Sequence, residues 1–208
     1  MPRILISTSL LFEGVIDFFF WEITETVEDL LALFTQPDYM RKGLKDFSSN
    51  TTRQKEWLAT RLLLKEALGD DVTISYTVSG RPFLIGSTQH ISISHTRKYV
   101  LLALAQGPFG VDIEVWGSRA LRLQQKFLSP DEACLLHSKE ADKIAVRLWS
   151  AKESCYKHLG IPGLSLKNNI FLTQHDAQIE AHITNINNAV PIYYQDFPSF
   201  VLTWTKPE

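Results

Sequence analysis

The stretch RLWSAKESCYKHLG, residues 147–160, decides how this chain is read. It closes in Leu159-Gly160, and a glycine after the last periodic residue is a common helix end. As a helix it sets Lys152, Glu153 and Lys157 among Trp149, Cys155 and Tyr156. An amphipathic surface helix would separate charge from bulk more cleanly. The plain explanation is an ion pair, because Glu153 and Lys157 are four apart and meet on the helix surface, worth roughly 0.2–0.5 kcal/mol. The other explanation is that Glu153 and Lys157 look into a site.

A second helix has the same form. TTRQKEWLATRLLLKEALG (51–69) also ends in Leu-Gly. Thr51 with Gln54 three residues on is a capping-box pattern, and Gly69 suits a left-handed terminus. Trp57, Arg61, Leu64 and Leu68 share one face at helical spacing. Ahead of it, RILIS (3–7) and VIDFFFW (15–21) read as strands, TVEDLLALF (26–34) as a helix and YMRKGLKDF (39–47) as a basic connection. Behind it come VTISYTV, PFLI, HISIS, YVLLALA and FGVDIEV, short strands separated by turn residues. SPDEACLLHS (129–138) opens as a helix, with Ser129 as cap, Pro130 at the first helical position and Glu132 closing the box. After the helix of 147–160 the chain returns to strands in NIFLT, AQIEAHI, VPIYYQ and FVLTWT. The prediction is an α+β chain of two similar units, 1–105 and 106–208, with a ligand cleft between them.

Composition narrows the class. The 208 residues carry a net charge of −2, with 45% hydrophobic and 21% charged residues, as in an ordinary globular protein with a core. No general attraction to nucleic acid is expected. The two cysteines, Cys134 and Cys155, have no metal-ligand spacing and fit a reducing compartment. In the N-terminal stretch Glu13 and Asp17 interrupt the apolar run, which argues against a secretory signal. No stretch has the apolar length of a membrane span. The expectation is a cytoplasmic protein without a membrane or nucleic-acid partner.

Two strands carry unexpected chemistry. In FGVDIEVW (109–116), Val111, Ile113 and Val115 point to one face and Asp112 and Glu114 to the other. Adjacent carboxylates repel unless something positive lies between them. The pattern serves either a solvated acidic face or a hard-cation site, whose preferred ligands are carboxylate oxygens. Glu153 on a facing helix would be a third ligand, with Lys157 one turn on to neutralise a phosphate. In HISISHTRKYV (90–100), Ser94 and His95 end a strand and precede Thr96, Arg97 and Lys98, groups that bind phosphate oxygens.

In order the chain holds SGRPFL (79–84), SISHT (92–96), FGVDIE (109–114), KFLSPDEA (126–133), LWSAKESCYK (148–157) and GLSL (163–166). G-V-D-I-E followed about forty residues later by W-S-A-K-E-S-x-x-K resembles the 4'-phosphopantetheinyl transferase superfamily, in its longer, Sfp-like type. The resemblance implies a pseudo-twofold monomer of two α/β subdomains. It also implies transfer of the phosphopantetheine arm of coenzyme A to a serine of an apo acyl- or peptidyl-carrier protein. Asp112, Glu114 and Glu153 match metal ligands for Mg²⁺ or Mn²⁺, and Glu153 also matches the base proposed to activate the serine. Lys157 matches a lysine on the pyrophosphate, and Ser94 and His95 match residues that hold coenzyme A phosphates. Arg81 stands where the family often has lysine before proline, and a guanidinium is a planar fork where an ammonium is a point charge. Arg53 is spaced from Arg61 like an arginine that binds the 3'-phosphate, and Lys42 and Lys45 are further candidates. Lys152 is placed either at a rim where acidic carrier helices dock or simply in solvent. The competing reading is a coenzyme A-binding module without chemistry.

Overall fold

The computed structural model describes residues 3–4, 15–47, 49–175 and 178–208. The chain divides into two compact units, Met1–Leu104 and Ala105–Glu208. Both mix helices and strands, so the fold is α+β.

In the first unit, β1 (Arg3–Ile4), β2 (Ile16–Glu22), β5 (His90–His95) and β6 (Tyr99–Ala105) form a sheet in the order β1-β2-β6-β5. Leu5, Ile6 and Ser7 of the expected first strand lie outside the described residues. Strands β3 (Thr73–Tyr76) and β4 (Pro82–Ile85) form an antiparallel hairpin. All of β6 is buried, which suits its unbroken apolar run YVLLALA.

Against this sheet's elements pack α1 (Val27–Leu31), α2 (Pro37–Gly43) and α3 (Thr51–Leu68). The core joins Leu30, Leu31, Leu58, Leu62, Val100 and Leu102. Helix α1 is shorter than the expected 26–34. Thr26 and Asp29 close a reciprocal capping box at its start. Its end tightens into i→i+3 bonds at Leu33 and Phe34, and Gln36-Pro37 resists helix at the residue before proline. The basic connection is itself helical. Pro37 starts α2, with Asp38 in its first turn and Arg41 and Lys42 in its last, the order that the helix dipole favours. Helix α3 is capped by Asn50, whose side chain accepts from the Arg53 amide, and not by Thr51. Gly69 ends it at φ +85°.

The second unit is a five-stranded sheet in the order β7-β11-β10-β9-β8, antiparallel throughout: β7 (Val111–Val115), β8 (Ile170–His175), β9 (Gln178–Ile183), β10 (Val190–Asp196) and β11 (Phe200–Thr205). Strand β11 is buried along its whole length. Helix α5 (Ala141–Leu159) lies on this sheet, with the single turn of α4 (Arg119–Arg122) beside it. Its core side, Ala145, Leu148, Ala151 and Cys155, packs with Phe127, Ile170, Leu172, Ile179 and Ile192. The capping box at Ser129 and Glu132 forms, but it opens a 3-10 helix over Glu132–Leu136 instead of an α-helix. Val115, expected in the core, is exposed at the end of β7. Among the described residues no helix is long and apolar enough to cross a membrane.

Candidate active site

The second unit gathers the acidic residues. Alternation along β7 buries Val111 and Ile113 on one side and turns Asp112 and Glu114 to the other. Asp112 is buried, and its carboxylate receives Lys157 Nζ at 2.7 Å. The same ammonium donates to the Val111 carbonyl at 3.0 Å. Lys157 therefore engages β7 instead of serving only as the surface partner of Glu153. Glu114 accepts from Trp149 Nε1 at 3.0 Å, and the Trp149 ring meets Phe127 edge-on at 5.0 Å. Trp149, Glu153 and Lys157, four residues apart, form the stripe of α5 that faces this chemistry.

Electrostatics join the group. Burial pushes the Glu114 carboxyl up to about 7, helped by Asp112 and opposed by the Trp149 hydrogen bond and by Lys157. Burial also raises Glu153, again helped by Asp112 and opposed by Lys157. These carboxylates are close enough to repel one another, and one lysine only partly offsets it. A hard cation fits such a donor set, since carboxylate oxygens are its preferred ligands and its charge would remove the repulsion. Among the described residues no group of three or more His, Cys, Asp or Glu side chains is gathered as a ready-made metal site. Lys157 holds an oxygen of Asp112 and Trp149 one of Glu114. Beside Glu114 opens a pocket of about 390 Å³, lined by Trp116, Arg119, Arg122, Val146 and Trp149.

Lys152 is corrected outright. It is neither at a rim nor in solvent, but fully buried, with its ammonium 2.7 Å from Glu132. Helical period explains this: Ala145, Leu148, Lys152 and Cys155 fall on one stripe, and the other three are core. An ammonium there requires a carboxylate partner, which Glu132 supplies. Burial lowers the Lys152 pKa, and Glu132 acts against that shift. Cys155, beside it in the core, has its thiol pushed up to about 12 by burial.

The first unit brings together Arg53 and His95. Arg53 Nη1 lies 2.7 Å from His95 Nε2 and 3.1 Å from Glu56 Oε2, and His95 Nδ1 lies 3.3 Å from the same carboxylate oxygen. Glu56 was not anticipated, although its place three residues after Arg53 on a helix was a usable signal. Burial raises Glu56, and Arg53 acts against that shift. Ser94 is buried beside the half-exposed His95 on β5. Arg81 follows the turn of the β3–β4 hairpin, where its amide donates to Thr77 Oγ1. Lys42 and Lys45 are exposed on α2 and the turn after it. Arg53, Arg81, Ser94 and His95 thus belong to one unit, and Asp112, Glu114, Glu153 and Lys157 to the other.

Residues 108–205 match the family model described as the 4'-phosphopantetheinyl transferase superfamily. A 4'-phosphopantetheinyl transferase of Bacillus subtilis is 33% identical over 108 residues, 49% of this chain and 48% of the relative. The 4'-phosphopantetheinyl transferase Sfp of Bacillus subtilis (strain 168) is 29% identical over 133 residues, 61% of this chain and 58% of the relative. The 4'-phosphopantetheinyl transferase gsp of Aneurinibacillus migulanus is 27% identical over 117 residues, 55% and 49% of the two chains. The chain spans about half the length of the curated relatives it matches.

Proposed function

We propose that this chain, whose residues 108–205 match the 4'-phosphopantetheinyl transferase superfamily model, is a member of that superfamily and moves the 4'-phosphopantetheine arm of coenzyme A to a serine of an apo acyl- or peptidyl-carrier protein. The observation that carries the reading is the cluster on β7 and α5: Asp112, Glu114 and Glu153 with Lys157, mutually repelling and partly buried.

In the reaction the carrier serine Oγ bonds to the pyrophosphate phosphorus nearer the pantetheine. The bond from that phosphorus to the bridging oxygen breaks, and adenosine 3',5'-bisphosphate leaves. The serine proton passes to Glu153, directly or through water. A carboxylate whose pKa burial has raised is a better base than an ordinary one. Lys157 supplies positive charge to the phosphate oxygens as the bond breaks. Asp112, Glu114 and Glu153 would hold Mg²⁺ or Mn²⁺, which when bound neutralises charge on the pyrophosphate. Arg53, Ser94, His95 and Arg81 would hold the coenzyme A phosphates, with Lys42 and Lys45 nearby in sequence. Arg119 and Arg122, at the pocket beside Glu114, suit an acidic carrier surface and take the docking role first considered for Lys152. The enzyme would act as a cytoplasmic monomer.

The test is intact-mass spectrometry of an apo carrier incubated with this protein, coenzyme A and Mg²⁺, with an EDTA control. The expected result is a gain of about 340 Da, the mass of the transferred arm, which EDTA blocks and which Glu153→Gln abolishes while coenzyme A still binds. No gain across several carriers, with coenzyme A bound, would replace this reading with a binding module.

A further inference from the structure

We propose that Lys152 and Ser154 are positioning residues that hold Glu153 in place from its two sides. The inference rests on the reading of Glu153 as ligand and base. Successive residues of an α-helix project about 100° apart. Lys152 and Ser154 therefore leave α5 on opposite flanks of the stripe that carries Glu153. Both are fully buried, and each is bonded to a different part of the unit.

On one flank the Lys152 ammonium takes Glu132 at 2.7 and 2.9 Å, the Leu166 carbonyl at 2.8 Å and the Ile170 carbonyl at 2.6 Å. Glu132 is fixed in turn, accepting from the amides of Ser129 at 2.7 Å and Leu172 at 2.8 Å. One ammonium thus ties α5 to the 3-10 turn, to the end of GLSL and to the start of β8. On the other flank Ser154 Oγ bonds the Thr203 side chain and donates to its carbonyl at 3.1 Å. Ser150, one turn earlier, bonds Thr203 Oγ1 at 2.9 Å. Thr203 is the residue of β11 that pairs directly with Asp112 of β7, and directly opposed residues share a face of the sheet. Ser154 therefore registers α5 against the strand position where Asp112 stands.

The lysine side has a second argument. Position 152 lies on a core stripe, and a buried ion pair is a poor source of stability compared with apolar residues of the same size. Its geometric effect is what distinguishes it: rotation of α5 in either direction would break one of the two sets of bonds.

The experiment compares Ser154→Ala and the double variant Lys152→Met/Glu132→Leu with the unaltered chain. Two readouts are used: amide hydrogen exchange without metal, and Mn²⁺ binding with coenzyme A followed by electron paramagnetic resonance. The expected result is exchange at least tenfold faster over residues 150–157 with β11 unchanged, and Mn²⁺ binding at least fivefold weaker. Unchanged exchange over 150–157, or acceleration shared equally by β11, would overturn the proposal. If the double variant does not fold, Ser154→Ala decides it alone. If the unaltered chain modifies no carrier, the functional reading fails, and the exchange data still decide whether the two flanks hold Glu153.

Discussion

Lys157 Nζ stands 2.7 Å from Asp112 Oδ1 and 3.0 Å from the Val111 carbonyl, so one lysine of α5 grips both side chain and backbone of the acidic strand. Asp112 is largely buried, while the lysine keeps 26% of its side chain exposed. Lys157→Met removes that positive charge and is expected to cost about 2–3 kcal/mol in EDTA. Mg²⁺ should then raise the melting temperature of the variant more than that of the unaltered chain, because the ion supplies the missing charge. Asp112→Ala should abolish the Mg²⁺ effect in both backgrounds. Thermal melts with and without Mg²⁺ check this, and equal Mg²⁺ effects in all chains would refute it.

Glu114 makes metal-free stability depend on pH. Its carboxyl, ordinarily near 4.5, is pushed up to about 7 by burial and by Asp112. A raised folded pKa means that the native state holds the proton more tightly than the unfolded chain. The stabilisation is therefore complete below about 4.5 and is lost as pH rises through about 7. Raised Glu153 acts in the same direction. In EDTA the unaltered chain should lose on the order of 1–3 kcal/mol from this source between the two limits. Glu114→Gln should flatten much of that fall and weaken Mg²⁺ binding. Urea unfolding at several pH values measures it, and an identical slope in the variant would remove Glu114 as its source.

Gly110 sets how closely β7 approaches α5. A Cβ there would meet the Ser154 carbonyl oxygen at 1.9 Å and the His158 nitrogen at 2.6 Å, both backbone atoms of the helix. Its amide also donates to Thr205 Oγ1 at 2.9 Å. Gly110→Ala must push strand and helix apart, at a cost of roughly 1–3 kcal/mol or more. Because Asp112 and Glu153 lie on those two elements, the transfer activity proposed above should fall by more than tenfold even below the melting temperature. Denaturant midpoints and turnover on the same preparation check both parts.

Arg53 and His95 share one contact at 2.7 Å, with Glu56 reaching both. If this group reads the 3'-phosphate, His95→Ala should raise the KM for coenzyme A severalfold and leave that for dephospho-coenzyme A nearly unchanged. The Arg53→Ala, His95→Ala double variant should lose less than the product of the single losses, since contacting residues are not independent. Equal KM changes for both substrates would contradict the assignment.

Much of the fold was legible because its signals are local. FGVDIEV and YVLLALA declare strands by alternation and by an apolar run, and the helices at 51–68 and 141–159 end where a glycine permits it. The misreadings also have local causes. Asn50 outcompeted Thr51 as a cap, Pro37 started a helix that runs into a segment read as a connection, and SPDEACLLHS tightened into a 3-10 turn. Lys152 was misread by its charge although its period marked it as core: Leu148 and Cys155 stand four before and three after it.

By itself the sequence determined which residue types lie on which face of β7 and α5, since periods of 2 and 3.6 residues arise from backbone geometry. It thereby put Asp112 with Glu114, and Glu153 with Lys157. Only the tertiary structure decided who answers whom: Lys157 pairs with Asp112, 45 residues away, and Lys152 with Glu132, 20 residues away. A side chain's period names its direction, but a buried charge takes whichever opposite charge the packing brings within reach, and that choice is made by the whole unit.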